Sequence, residues 1–264
     1  MEIIGEKING TRKRVAQAIA ERDADFIKDL AQKQAEAGST WLDVNAGTHP
    51  DQEPDDLIWL IENIQSVVET PLSLDSANPK SLEIVIKSVD KTPLINSISG
   101  EPERLEKILP IVAEHGCEVI ALAMDEKKIP ETFEKRMEVI DKVLEQTRAV
   151  GVPDDKVYVD PLAMTIATMN QSAVIACDTI RAVHGKYPKV HFTMGLSNIS
   201  FGLPSRKQVN RGLLILAMQA GLDSAILDPL DKELQAAIVT TELLLGKDKH
   251  CMNYLKASRK GLFD

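Results

Sequence analysis

Five short apolar runs of this sequence share one feature: each is strand-like and finishes at Asp or Asn. The runs are Trp41–Asn45, Leu72–Asp75, Leu94–Asn96, Val157–Asp160 and Met194–Asn198. In a parallel barrel the carboxyl ends of all strands share a single rim, and active sites lie on that rim. The recurring ending therefore predicts polar side chains that converge on one ligand.

Apolar runs and amphipathic segments alternate along the whole chain. The pattern predicts strands at Ile3–Ile4, 40–45, 71–75, 93–97, 118–124, 157–160, 189–196 and 224–227. It predicts helices at 23–37, 55–69, 102–114, 131–150, 171–184, 207–220 and 231–245, and one further helix that begins at Pro79. Asp23 is the expected N-cap of the first of these helices, and Gly38 is its expected stop. Eight strands alternating with eight helices favour a single (β/α)8 TIM barrel, an α/β fold; a doubly wound open sheet is the alternative.

The length of 264 residues fits one barrel domain over 1–264, without a linker, an internal repeat or a low-complexity tract. A hydrophobic fraction of 44% supports a large core. The net charge of −9 argues against nucleic-acid binding, which depends on neutralising phosphates. We interpret the short basic run Arg12–Arg14 as a solvated face.

The sequence also predicts a cellular compartment. No apolar stretch approaches the roughly 20 residues that span a bilayer, and the first residues do not resemble a signal segment. Three widely spaced cysteines (Cys117, Cys177 and Cys251) lack the pattern of a disulfide framework or of a zinc site. We therefore expect a cytoplasmic protein that does not associate with membranes.

Several common reaction types have no signature in this chain. The sequence contains neither a Gly-x-Gly-x-x-Gly loop after the first strand nor a Walker-type phosphate loop. Its five histidines are scattered without metal-ligand spacing, so we predict no metal site. His49 alone follows a predicted strand near the rim.

The rim instead offers Asp75, Asn96, Asp160 and Asn198. A carboxylate can accept from two adjacent donors, while a carboxamide both donates and accepts. This combination suits a planar heterocycle that has several N–H donors and ring acceptors. The alternative for each residue is that it caps a following helix or turn.

Several motifs resemble those of the pterin-binding methyltransferases: Ile4–Gly10, Leu42–Asn45, Leu74–Ser76, Ile95–Ser97, Asp160–Pro161 and Gly195–Ser200. This family includes methyltetrahydrofolate:corrinoid/iron–sulfur protein methyltransferases, which are the closer match, and the folate domain of cobalamin-dependent methionine synthases. The resemblance covers essentially the whole chain. Dihydropteroate synthases share the barrel, but their characteristic loop after strand one is replaced here by Asn9–Arg12.

The resemblance implies roles for seven residues. Asp75, Asn96 and Asp160 correspond to groups that hold the pterin ring. Asn198 corresponds to the residue that approaches N5, the methyl-bearing atom, so that Asn198 and Asp160 are the expected catalytic residues. Asn9 and Ser197 extend the polar network. Arg206 corresponds to an arginine of a substrate-proximal loop, and its alternative interpretation is an exposed loop cation.

The implied reaction moves a methyl group between N5 of tetrahydrofolate and the cobalt of a corrinoid (cobalamin). The chain lacks the Asp-x-His-x-x-Gly signature of a cobalamin domain, so we expect the corrinoid to arrive on a separate partner protein. The resemblance also implies a homodimer. Two alternatives stay open, a pterin-binding protein without turnover and an enzyme similar to dihydropteroate synthase.

Overall fold

A computed structural model describes residues 1–125 and 129–264. Within them, eight parallel strands form one sheet in the order β7-β6-β5-β4-β3-β2-β1-β8. The strands are β1 (Glu2–Asn9), β2 (Trp41–Asn45), β3 (Leu72–Asp75), β4 (Leu94–Ile98), β5 (Glu118–Leu122), β6 (Val157–Asp160), β7 (His191–Phe192) and β8 (Ser224–Leu227). A parallel bridge between Gly195 and Ile226 brings the two ends of the sheet together, where the Ile226 amide donates to the Met194 carbonyl at 2.9 Å. The predicted barrel is confirmed, and the open sheet is excluded.

Ten α-helices surround the strands in the described ranges. They are α1 (Lys13–Glu21), α2 (Ala24–Glu36), α3 (Glu53–Gln65), α4 (Pro79–Val85), α5 (Pro102–His115), α6 (Phe133–Ala149), α7 (Ser172–Lys186), α8 (Arg206–Ala220), α9 (Lys232–Leu244) and α10 (Met252–Arg259). The side chain of Asp23 accepts from the Phe26 amide, which confirms the predicted N-cap of α2. None of the described helices is long and apolar enough to cross a membrane.

The sequence-based elements were wrong in three places. The strand predicted at 189–196 is observed only at His191–Phe192, and a 3-10 helix begins at Leu196 and ends at Ser200. That turn is held by hydrogen bonds from Asn198 to Gly195 and from Phe201 to Asn198, both at 3.2 Å. Helices α1 and α10 were not predicted, although Val15, Ala18 and Ile19 of α1 are buried at helical spacing.

The core has two layers. A large cluster lies between the strands and the helices, and a smaller one fills the inside of the barrel with Ile4, Trp41, Leu94, Ile120 and Tyr158. Successive side chains of a strand point to opposite faces, so every second residue points inward. Two residues beyond Trp41, Leu94 and Tyr158 are Asp43, Asn96 and Asp160. The barrel interior is therefore apolar toward the amino ends of the strands and polar at their carboxyl ends. The candidate site lies at the carboxyl ends.

Candidate active site

Asp75 and Asn96 are neighbours across the β3–β4 ladder, where their Cα atoms are in register. Both residues are partly buried. Asn45, at the end of β2, donates through Nδ2 to Asp75 Oδ2 at 3.0 Å and to the Asp75 carbonyl at 3.1 Å. Burial raises the pKa of the Asp75 carboxyl, and the hydrogen bond from Asn45 opposes that rise.

Asp43 lies beneath this pair and is buried. Its Oδ1 atom accepts from Ser73 Oγ at 2.7 Å and from Asn96 Nδ2 at 3.2 Å. Burial and the nearby charge of Asp75 both raise the pKa of Asp43. Two carboxyl groups this close resist simultaneous ionisation, so Asp43 holds the proton more readily and Asp75 is left as the anionic acceptor.

Asp160 closes β6 and is almost fully buried. Its Oδ1 accepts from the Leu162 amide at 2.7 Å. Burial raises the pKa of Asp160 to about 6, opposed by backbone N–H groups of Leu162 and Gly195 and by the charge of Arg136. Leu162 has a φ of 60°. A left-handed conformation at a non-glycine residue costs roughly 1–2 kcal/mol and commonly marks a functional site.

Arg136 supports this turn from α6, and sequence reasoning did not identify it. It is fully buried and donates to three backbone carbonyls: Pro130 at 2.9 Å, Leu162 at 3.0 Å and Pro161. The guanidinium thus holds the segment that follows Asp160. A signal was present in the sequence, because an arginine at helical spacing from buried Ile140 must be neutralised inside the protein.

Ser197, Asn198 and Arg206 are brought together after β7. Asn198 is exposed, and Ser197 is partly buried. Arg206 donates through Nη2 to the Ser197 carbonyl at 2.7 Å and through Nε to Ser200 Oγ at 3.0 Å. A Cβ atom at Gly195 would lie 2.9 Å from Asn198 Nδ2, so a larger residue would displace that amide. Arg206 is exposed at the first residue of α8, and its guanidinium holds the turn that carries Asn198.

Strand β1 contributes Asn9, whose Oδ1 accepts from the amide and hydroxyl of Thr11 at 2.9 and 2.6 Å. This is a local turn contact of the kind that the capping alternative describes. Glu6, earlier in the same strand, pairs with Arg12 at 2.8 Å, and burial raises its pKa. His49 lies outside the site: its side chain is 72% exposed beside Asp51.

Lys7 of β1 is already paired, since its Nζ atom lies 2.7 Å from Asp228 Oδ2. In the described part of the chain, no group of three or more His, Cys, Asp or Glu residues is arranged to hold a metal ion. The four rim residues predicted from the sequence supply two carboxyl groups, Asp75 and Asp160, and two carboxamides, Asn96 and Asn198. Such a set recognises a flat heterocycle through its N–H edge, because an unmatched analogue leaves buried polar groups unpaired.

Fold and site together define a TIM barrel that binds a polar heterocycle at its carboxyl rim. A family model described as "Pterin binding enzyme" matches residues 5–228. The chain belongs to this family. The match extends from within β1 to the residue after β8, so it includes part of β1 and all of the other seven strands.

Curated relatives are also similar in sequence. The chain is 41% identical over 263 residues to a methylcorrinoid:tetrahydrofolate methyltransferase of Eubacterium limosum, which covers 99% of this chain and 97% of the relative. It is 33% identical over 237 residues to a methionine synthase of Mycobacterium leprae, which covers 85% of this chain but only 20% of that protein.

Solved structures of dihydropteroate synthases have the same fold. The enzyme of Vibrio fischeri superposes with a TM-score of 0.71 at 19% identity, and that of Yersinia pestis with 0.69 at 18%. Both comparisons cover 93% of each chain. At this identity the likeness shows the barrel and carries no information on substrate.

Proposed function

We propose that this protein transfers a methyl group between N5 of tetrahydrofolate and the cobalt of a corrinoid carried by a separate protein. The observation that carries the proposal is the set of inward polar groups at the ends of β3, β4 and β6, on a chain that aligns end to end with a methylcorrinoid:tetrahydrofolate methyltransferase. That relative's name supports transfer from the corrinoid to tetrahydrofolate. We propose that residues 1–264 act as a single pterin-binding domain.

In this proposal the pterin lies across the rim. Asp75 accepts from the 2-amino group and N3–H, while Asn96 and the buried Asp160 hold other edges of the ring. The partly buried state of the first two groups and the burial of Asp160 make their hydrogen bonds selective, since each must be satisfied by the ligand or by water. Asn9 and Ser197 extend the polar wall.

The methyl group is difficult to move because departure from N5 leaves an amide-like anion. Protonation of N5 turns the leaving group into a neutral amine and lowers the barrier. Asn198, exposed at the rim, hydrogen-bonds N5 and favours its positively charged state, a preorganised electrostatic effect. Arg206 keeps the Asn198 turn in place through Ser197 and Ser200.

The corrinoid supplies the cobalt centre that gives or receives the methyl group. It would be bound by the partner, which docks over the rim. Asn198 is exposed there, so a docked partner has access to the atom that carries the methyl group. Asp160, with its raised pKa, is the second expected catalytic residue, because near neutral pH it can exchange a proton with the bound ring.

An anaerobic assay tests this function. The protein is mixed with methyltetrahydrofolate and cob(I)alamin, and formation of methylcobalamin is followed by the change in cobalt absorbance. Rapid conversion supports methyl transfer. Tetrahydrofolate binding without conversion, also in the presence of corrinoid proteins, would indicate a non-catalytic binding protein. Condensation of a pterin pyrophosphate with p-aminobenzoate would indicate a dihydropteroate synthase.

We also propose that the protein is a cytoplasmic homodimer. Its three cysteines are free thiols, which suits a reducing compartment. The outer faces of α8 and α9 expose Ile215, Leu216 and Leu244, the last at 79%. Exposed apolar patches commonly mark interfaces, and a twofold contact would cover the same patch on both copies. Sedimentation equilibrium of the wild type and of Leu216→Lys tests this, with a monomeric wild type as the contradicting result.

A further inference from the structure

Strand β2 ends in two polar residues, Asp43 and Asn45, that the proposed function does not use. Both lie on the inward side of the strand, in line with Trp41. Each of them contacts one of the two residues proposed to hold the pterin. Asp43 contacts Asn96 on β4, and Asn45 contacts Asp75 on β3.

We propose that Asp43 and Asn45 are positioning residues that set the orientation of Asn96 and Asp75 and so determine which edge of the heterocycle is read. The inference rests on the proposed pterin site. It assigns no contact with the reacting atoms to either residue. Side chains of strand β2 would then fix the orientation of the two proposed pterin-binding residues, Asp75 and Asn96.

The Asn45 contact defines the direction of its own amide. Nδ2 faces the Asp75 carboxylate at 3.0 Å, and Oδ1 is buried without a partner among the described residues. Rotating the amide by half a turn would place Oδ1 against a carboxylate oxygen, which is repulsive. A buried acceptor without a partner costs about 1–3 kcal/mol. We infer that the hydrogen bond from Asn45 to the Asp75 carboxylate offsets this cost and keeps the amide in its orientation. One acceptor site of Oδ2 is occupied, so Oδ1 and the remaining site of Oδ2 are left for the two donors of the ligand.

The Asp43 contact acts on Asn96 in the same way. One N–H of the Asn96 amide is directed at Asp43 Oδ1 at 3.2 Å, and the hydroxyl of Ser73 shares that acceptor at 2.7 Å. With its nitrogen directed downward, Asn96 presents its carbonyl oxygen to the rim. A donor on the ligand therefore meets an acceptor at both β3 and β4.

Charges from three elements act on Asp75 besides Asn45. Glu53 of α3 is acidic and raises the pKa of Asp75, whereas Arg104 of α5 is basic and lowers it; Asp43 of β2 faces Asp75 as the group that holds the proton more readily. The Asn45 hydrogen bond favours the ionised form of Asp75 and opposes the effects of burial and of the Glu53 charge. Removing it has a specific electrostatic consequence, because the carboxylate loses its nearest stabilising donor and titrates at higher pH.

The test combines two measurements on the whole protein. Asp75 is titrated by 13C NMR of its carboxyl carbon, and tetrahydrofolate affinity is measured by calorimetry, in the wild type, Asn45→Ala and Asn78→Ala. Asn78 is a matched control, because it caps α4 through the Lys80 amide and is not seen to contact Asp75. We expect Asn45→Ala to raise the Asp75 midpoint and to weaken binding about tenfold, as loss of a hydrogen bond to a charged group would.

Asn78→Ala is expected to lower the melting temperature and to leave both readouts unchanged. An unchanged Asp75 midpoint in Asn45→Ala would overturn the inference. If that variant does not fold, Asn45→Ser takes its place with the same expected shift. The titration needs no ligand, so a wild type that fails to bind tetrahydrofolate would refute the proposed function while the midpoint still decides the role of Asn45.

Two further variants test the proposed role of Asp43. Asp43→Asn keeps an acceptor for Asn96 and resembles the protonated acid, so we expect affinity within about threefold of the wild type. Asp43→Ala removes the acceptor and is expected to lose about tenfold. Equal affinities for the two variants would show that Asn96 does not depend on Asp43.

Discussion

The two halves of the rim are built differently. On the β2–β4 side, the polar residues lie within strands, and their partners follow from sheet register: Asp75 is aligned with Asn96, and Asp43 with Ser73. On the β6–β7 side, the ordered backbone leaves the sheet at Asp160 and turns through a left-handed Leu162. The first half is suited to recognition by a fixed pattern of acceptors. The second half carries the exposed amide of Asn198, which we propose contacts the reacting atom.

The largest effect is expected from Asn198→Ala, which separates the two halves most clearly. Loss of one preorganised donor or acceptor at a developing charge typically lowers kcat by about 10²–10³-fold. Tetrahydrofolate binding should change little, since the acceptors of β3, β4 and β6 remain. Stopped-flow kinetics and calorimetry give the two values. Methyl transfer at the wild-type rate with folate still bound would contradict the role of Asn198.

Asp75→Ala should have the opposite effect, a large change in folate binding and a small change in kcat. The variant removes a partly buried acceptor proposed to bind the 2-amino and N3–H donors, so KM for tetrahydrofolate should rise by roughly 10–100-fold. At saturating folate, kcat should fall much less than in Asn198→Ala. Steady-state kinetics over a wide folate range measures both parameters. A fall confined to kcat would place Asp75 on the reacting side of the rim.

Asp160→Asn tests whether the buried carboxylate of Asp160 lowers the free energy of unfolding. The pKa of Asp160 is raised to about 6 in the folded protein and returns to near 4 on unfolding, so the folded state binds the proton more tightly. Stability from this group is therefore greatest below pH 4 and is lost as the pH rises from 4 to 6. Above pH 6, we expect Asp160→Asn to stabilise the protein by roughly 2 kcal/mol.

Urea denaturation at pH 4 and pH 8 checks this sign. The variant should gain stability only at the higher pH, and its methyl transfer should be impaired there. Equal stability differences at both values would mean that Asp160 does not carry a raised pKa.

Sequence patterns predicted the β2–β4 half better than the β6–β7 half. The polar strand endings at Asp75 and Asn96 could be read directly, because a strand has a fixed repeat of two. The contact between Asp43 and Asn96 could not, since β2 and β4 are separated by β3 and the contact depends on the curvature of the barrel. The residue roles themselves stay predictions.

The β6–β7 half depends on interactions that local sequence does not encode. The apolar run at 189–196 looks like a long strand, but the residues after Gly195 turn into a 3-10 helix. Arg136 lies four residues before Ile140, on the buried side of its helix, but the local sequence does not indicate that its guanidinium is enclosed by carbonyls of residues 25 and 26 positions further along the chain. Tertiary packing decides both features.

The smallest effect is expected from Thr132→Ala, which weakens the β6–β7 half indirectly. Thr132 caps α6 by accepting from the Lys135 amide at 3.4 Å, one turn before Arg136. Loss of such a cap costs about 0.5–1 kcal/mol, and the long hydrogen bond favours the lower value. Arg136 makes its carbonyl contacts within the first turn of α6, so fraying there would loosen the segment after Asp160 while leaving Asp75 and Asn96 untouched. Thermal denaturation and steady-state kinetics measure these effects. We expect a small drop in melting temperature and a modest fall in kcat. A change in KM alone would show that the two halves are not independent.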